Sequence, residues 1–220
     1  MKPFLHAKIH AKKYGGIPED YIDIDNFIDS SKQTHPDVRH RAILHNAFGC
    51  FIVEQVFGIT RINSAGKTYS PRDIAEDHCQ QDMNRIFSVE SYLRNIKIDS
   101  IMPINNISII EHTEIDVGLY NISYNEVLEI HSFLESSFNV FPDIRHHALL
   151  HHSFGIYITE LVFGKIFDKI KKIPTSLIVK NHLSREFGHI PVVSDYLNNM
   201  IMQDWMSGSL KYNRKIKLVD

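Results

Sequence analysis

Residues 35–58, HPDVRHRAILHNAFGCFIVEQVFG, recur 106 positions later as FPDIRHHALLHHSFGIYITELVFG at 141–164, identical at 14 of the 24 positions. Four of the other ten positions exchange one apolar side chain for another. The same offset pairs IDIDNFIDSS at 22–31 with LEIHSFLESS at 128–137. After a shift of two residues, EDHCQQDMNRIFSVESYL at 76–93 pairs with KNHLSREFGHIPVVSDYL at 180–197. A 220-residue chain with this internal match is built from two units of one kind. The units fall at 1–98 and 107–203, followed by a basic tail over 204–220. Each is large enough to fold but owns a modest core. The two are therefore expected to bury apolar faces against each other with pseudo-two-fold symmetry, as a homodimer would.

The pattern within each unit predicts a mostly α fold. Pro36-Asp37 and Pro142-Asp143 read as starts of long helices that Gly58 and Gly164 stop. Shorter helices are expected at 4–14, 21–32, 71–84 and 88–96, with counterparts downstream. Asn63-Ser64-Ala65-Gly66-Lys67 is a turn that allows a short hairpin in the first unit, whereas the second has DKIKKIP there. No run approaches the ~18 apolar residues of a membrane span, and MKPFLHAKIHAKKYGG does not read as a signal peptide. A net charge of −2, from 24 basic and 26 acidic residues, argues against general nucleic-acid binding driven by bulk charge. Two cysteines cannot form a disulfide framework and suit a reducing, cytoplasmic setting.

The chain has fourteen histidines, and the duplication sorts them. Four positions hold histidine in both copies: His6/His112, His40/His146, His45/His151 and His78/His182. Four residues after the last pair come Asp82 and Glu186, on the same helix face as the histidine. His10, His35, His131, His147, His152 and His189 have no histidine partner, and the comparison sets them aside. His6, His45, His78 and Asp82 thus form one candidate metal site, and His112, His151, His182 and Glu186 a second. Imidazole and carboxylate donors suit Zn, Fe or Mn, and the lack of paired thiolates disfavours a Cys-rich zinc site. Water on an ion with an open position would be a hydrolytic nucleophile. Arg39 with His40, and Arg145 with His146, sit at helix starts where an anion could bind. The competing reading is a non-catalytic interaction protein that engages a protein partner, with its histidines and acids as structural polar networks. His40 and His45 are five residues apart, so on one regular helix they could not face a common centre. Gly49, kept as Gly155, implies a backbone passing close by.

The segments HAKIHAKKYGGIPEDY, RHRAILHNAFG, FGITRINSAGKTYSPRDIAEDHCQQD and IFSVESYL resemble a small His-rich helical domain family of bacteria and phages, of unknown function. The resemblance covers most of residues 1–95 and places His6, Arg39, His40, His45, His78 and Asp82 on family positions. The second copy keeps the histidines but lacks the Gly-Gly and Asn-Ser-x-Gly elements. The family implies a domain and no known reaction.

Overall fold

The computed structural model describes residues 1–98 and 102–207. It divides into two compact units, residues 1–95 with 201–207, and residues 96–200. The first comprises helices α1 (Pro3–Tyr14), α2 (Ile22–Asp29), α3 (Arg41–Leu44) and α4 (Ala47–Phe57), then strands β1 (Arg61–Ile62) and β2 (Thr68–Tyr69), then α5 (Pro71–Met83) and α6 (Val89–Leu93). The second repeats that order with α7 (Ile109–Tyr120), α8 (Tyr124–Leu134), α9 (His147–Leu150), α10 (Ser153–Phe163), β3 (Ile166–Asp168), β4 (Ile173–Pro174), α11 (Thr175–Phe187) and α12 (Val193–Leu197). The fold is mostly helical, a tandem of homologous helical modules, as the repeated sequence requires. None of the described helices is long and apolar enough to cross a membrane.

The hairpin expected at 63–67 is present, with Arg61 opposite Tyr69 and Ile62 opposite Thr68. The second unit also forms one, between Ile166 and Pro174, although its loop lacks the glycine turn. Lys172 takes the positive φ there, at 56°, where the first loop uses Gly66 at 75°. In the first unit the turn joins other elements: Ser64 bonds to Asp20, and Asn63 Nδ2 donates to the Tyr14 carbonyl and the Tyr21 hydroxyl.

One expectation is overturned. The long helix that the sequence suggests after Pro36 is broken into a 3-10 turn (Val38–His40), α3 and α4. His45 leaves helical geometry at φ −93° and ψ 48°, and Asn46 begins a new helix by accepting from the backbone N–H groups of Phe48 and Gly49. Asn46 Nδ2 also donates to the Ala42 carbonyl, so one side chain closes one helix and opens the next. His152 takes this role in the second unit, where His151 has φ −87° and ψ 58°. The corner explains the retained glycines, because a Cβ on Gly49 would lie 2.0 Å from the Leu44 oxygen, and one on Gly155 1.8 Å from Leu150.

Each unit has an aliphatic core, with Ile24, Ile28, Leu44, Val53 and Ile74 in the first and Ile130, Leu134, Leu150, Ile158 and Ile178 in the second. The first helix of each unit contributes almost nothing to it. Helix α1 buries His6, Ala7 and His10, while α7 buries His112, Thr113 and Asp116. A helix that turns its polar residues inward must find partners for them there. Beyond residue 200 the chain packs on the first unit: Trp205 stacks on Phe87 at 4.3 Å, and the Met206 carbonyl accepts from Arg41. Of the expected basic tail, residues 208–220 lie outside the described residues.

Candidate metal centre

In the first unit three helices each turn inward a pair of residues four apart: His6 and His10 from α1, Asp25 and Asp29 from α2, His78 and Asp82 from α5. His45 enters from the corner between α3 and α4, and all seven side chains are buried. The innermost group is Asp29, His45, His78 and Asp82, each offering an atom within 4.8 Å of the others. His45 Nε2 lies 3.3 Å from Asp29 and 3.7 Å from Asp82, and His78 Nε2 lies 3.7 Å from Asp29. These approaches do not satisfy the groups. His45 Nε2 and His78 Nε2 are buried without a hydrogen-bond partner, and the Asp29 carboxylate has none beyond its ion pair with Lys32. Donor atoms tetrahedrally placed at about 2.1 Å from an ion stand about 3.4 Å apart, which is the spacing seen here.

The ring orientations fit the same arrangement. Nδ1 of His78 lies 2.8 Å from Asp25, so the proton sits on that side and Nε2 faces the cluster. His6 stacks on His78 at 3.8 Å, with Nδ1 2.7 Å from Gln81 Oε1. Its Nε2 lies 3.3 Å from Asp82 and makes no hydrogen bond. His6 thus flanks the four-residue set, beside Asp82.

The second unit builds the corresponding set from Glu135, His151, His182 and Glu186. His151 Nε2 lies 3.0 Å from Glu135, 3.6 Å from Glu186 and 3.2 Å from His182 Nε2. His182 Nε2 is 3.3 Å from Glu135 and 3.5 Å from Glu186. Five edges of one tetrahedron therefore fall close to the ~3.4 Å of a coordination shell. His112 stacks on His182 at 3.9 Å, as His6 does on His78. Here, however, Arg185 lies 2.9 Å from its Nδ1, and a guanidinium only donates. The neutral His112 ring thus carries its proton on Nε2, turned towards Glu186 at 3.6 Å.

The electrostatics follow from burial and convergence. Burial alone would raise Asp29, but His45 and His78 hold it well below the usual carboxylate range. Burial likewise opposes ionisation of Asp82, and His6 and His45 overcome it. Glu135 and Glu186 are depressed in the same manner by their histidines. Burial pushes His45 down to about 4, whereas Asp25 and Asp29 outweigh burial and raise His78. Glu135 and Glu186 raise His182 against burial. Each unit therefore gathers two ionised carboxylates at its histidines, and in the first unit Lys32 and Arg41 also pair with them.

Two contributors escaped the histidine comparison. Asp29 and Glu135 occupy one repeat position, acid for acid, inside segments that align without a gap. His10 and Asp25 face Asp116 and His131 in a reciprocal exchange. In the first unit His10 Nε2 lies 3.3 Å from Asp25, and in the second His131 Nε2 lies 3.1 Å from Asp116. His147, at the place of Arg41, joins Glu135, His151 and Glu186 in one potential ligand group. A search for pairs of complementary type would have found the exchange; a search for identical type could not.

The four anion-site candidates are placed differently. Arg39 forks onto Asp37 at 2.6–3.0 Å, and Arg145 onto Asp143 at 2.6–2.7 Å. His40 Nδ1 lies 3.2 Å from Ser31 Oγ, and His146 Nδ1 3.0 Å from Ser137 Oγ. The rings of His40 and His45 meet edge-on at 5.4 Å, which the broken helix permits.

Fold and site together define a tandem helical module with a buried His/carboxylate cluster in each copy. The chain belongs to the family described as a domain of unknown function, DUF6915, which matches it twice, over residues 1–102 and 107–206. No curated protein and no solved structure matches it.

Proposed function

We propose that each unit is a metal-binding module holding one divalent ion, through Asp29, His45, His78 and Asp82 in the first and Glu135, His151, His182 and Glu186 in the second. The observation that supports this most directly is the convergence of the partnerless Nε2 atoms of His45 and His78 on the carboxylates of the cluster. The mixed N/O set suits Zn, Fe or Mn. His6 and His112 support Asp82 and Glu186. A divalent ion supplies Lewis-acid chemistry and activates water near neutral pH, so hydrolysis is the reaction class the site suits. Cys50 and Cys79 are buried free thiols, in keeping with a reducing cytoplasm.

The deciding experiment is elemental analysis of protein purified without a histidine tag, combined with thermal melts in chelator. About two metal equivalents are expected, one lost in His78→Ala and one in His182→Ala, with melting lowered by chelator. Metal-free protein whose melting ignores chelator overturns the reading. The 3.0 Å contact of His151 with Glu135 favours a second reading, a hydrogen-bonded network that fixes the helices of a protein-interaction module. In that case His182→Ala lowers stability and no metal accompanies either form.

A further inference from the structure

Resting on the metal reading above, we infer that the two centres are not equivalent: the second unit's is open to a ligand, and its ligand is an uncharged amphiphilic small molecule. A cavity of about 770 Å³ in the second unit reaches Glu135, His146, His147 and Glu186, which is the size of a small-molecule site. Glu186 is almost wholly buried, and its Oε2, partnerless, belongs to the cluster at the cavity floor. Ile104, Phe138 and Ile144 supply apolar wall, and Asn105, Ser108 and Ser132 supply amide and hydroxyl groups. Among the described residues the lining contains no lysine or arginine. A phosphate or free carboxylate would find no cationic side chain in the described lining, and Glu135 and Glu186 already balance the charge of a divalent ion, so an uncharged ligand with an apolar body fits best. The wall is tied to the metal cluster through the backbone. The N–H groups of Ile104 and Asn105 both donate to the Glu186 carbonyl, at 2.7 and 3.1 Å, and Asn105 Nδ2 donates to Arg185 O at 2.7 Å.

The first unit has the same hollow, closed down. Its cavity measures about 400 Å³ and is lined by Asn26, Asp29, Lys32 and Gln33, the repeat counterparts of Ser132, Glu135, Phe138 and Asn139. Lys32 Nζ lies 2.5 Å from Asp29, where the second unit has Phe138. Arg41 NH2 lies 3.2 Å from Asp82, where the second unit has His147. Cations thus occupy outer positions on both carboxylates of the first cluster, whereas among the described residues Glu135 and Glu186 pair only with histidines. A closed site suits a structural ion and an open one suits a reacting or ligand-binding ion. The glycine elements that the second copy lacks join the hairpin to the α1–α2 turn in the first unit and are not among its cluster residues.

The test is calorimetric titration of the cobalt(II)-loaded full chain with benzohydroxamic acid, an aromatic chelator that is neutral in solution and releases its N–OH proton to buffer on coordination, with the visible cobalt bands recorded alongside cobalt content. One equivalent of probe per chain is expected, with a change in those bands. Phe138→Lys, at an exposed position, is expected to weaken binding about tenfold or more while leaving cobalt content unchanged. Ser132→Trp, which fills the cavity from another side, should act likewise. Chains that hold cobalt but take no probe, take two equivalents, or bind it unaffected by both substitutions overturn this inference and leave the metal reading standing. Chains that hold no cobalt overturn both.

Discussion

Nδ1 of His78 lies 2.8 Å from the Asp25 carboxylate, and that contact decides which face of the ring meets the cluster. With the proton held at Nδ1, Nε2 presents its lone pair towards Asp29 and Asp82. His182 reaches the same state through one more ring. Its Nδ1 lies 3.0 Å from Nδ1 of His131, whose Nε2 lies 3.1 Å from Asp116. The two units thus orient one ligand by two routes.

Asp25→Asn tests the first route. The amide can still accept from His78 but no longer supports it with charge. Metal affinity of the first unit is expected to fall about tenfold to a hundredfold in a folded protein, as read by competition with a chromophoric chelator. Unchanged affinity would remove Asp25 from the account.

The reciprocal exchange gives a sharper test. His10→Asp alone sets two buried acids together, and Asp25→His alone sets two imidazoles together, so each is expected to destabilise the first unit. The double variant rebuilds the Asp116/His131 pairing of the second unit. Denaturant unfolding of the four proteins is expected to give a coupling energy of about 1–3 kcal/mol in favour of the double variant. Additive effects would mean that the exchange is coincidental.

How much of this was legible beforehand depends on the kind of signal. Duplication exposed His6, His45, His78 and Asp82 with their counterparts, because residue type survives at each place. It hid Asp25 and His10, because there complementarity survives while the residue types trade places. The helix break at His45 was equally hidden: Asn46 and His152 are different residues doing one capping job, and helix periodicity passes straight over them. Only Gly49 and Gly155 marked the corner, through the carbonyl that a Cβ would strike. The closed and open hollows were out of reach, since Lys32 and Phe138 acquire meaning only once Asp29 and Glu135 are in place.

Gly49→Ala should be costly for that steric reason. With Cβ 2.0 Å from the Leu44 oxygen, the corner must shift and carry His45 with it. A loss of at least about 2 kcal/mol is expected, together with weaker metal binding. Gly118→Ala on α7 is the control, because a Cβ there meets nothing within 4 Å. It should be neutral or stabilising by up to about 1 kcal/mol. Thermal melts of both variants check the pair, and equal effects would contradict the corner argument.

Acidification should destabilise the metal-free protein. Burial holds His45, His131 and His146 down to about 4, against an ordinary value of 6.5. Between those values the unfolded chain binds more protons than the folded one, so stability falls as pH drops from about 6.5 to about 4. His78 and His182 act oppositely: their raised values add stability that is complete below 6.5 and fades at higher pH. Below the ordinary carboxylate range, protonation of Asp29, Asp82, Glu135 and Glu186 removes a further contribution. Urea unfolding in chelator at stepped pH is expected to show the decline already between pH 6.5 and 4. Flat stability across that window would contradict the burial of neutral rings.

The most direct measurement is anomalous scattering from crystals of the untagged protein, collected at the absorption edge of whichever metal elemental analysis finds. The account expects two peaks, one enclosed by Asp29, His45, His78 and Asp82 and one by Glu135, His151, His182 and Glu186, each about 2.0–2.2 Å from its donors. Clear density for these side chains with no peak between them, and ordinary hydrogen bonds joining imidazole to carboxylate, would contradict it.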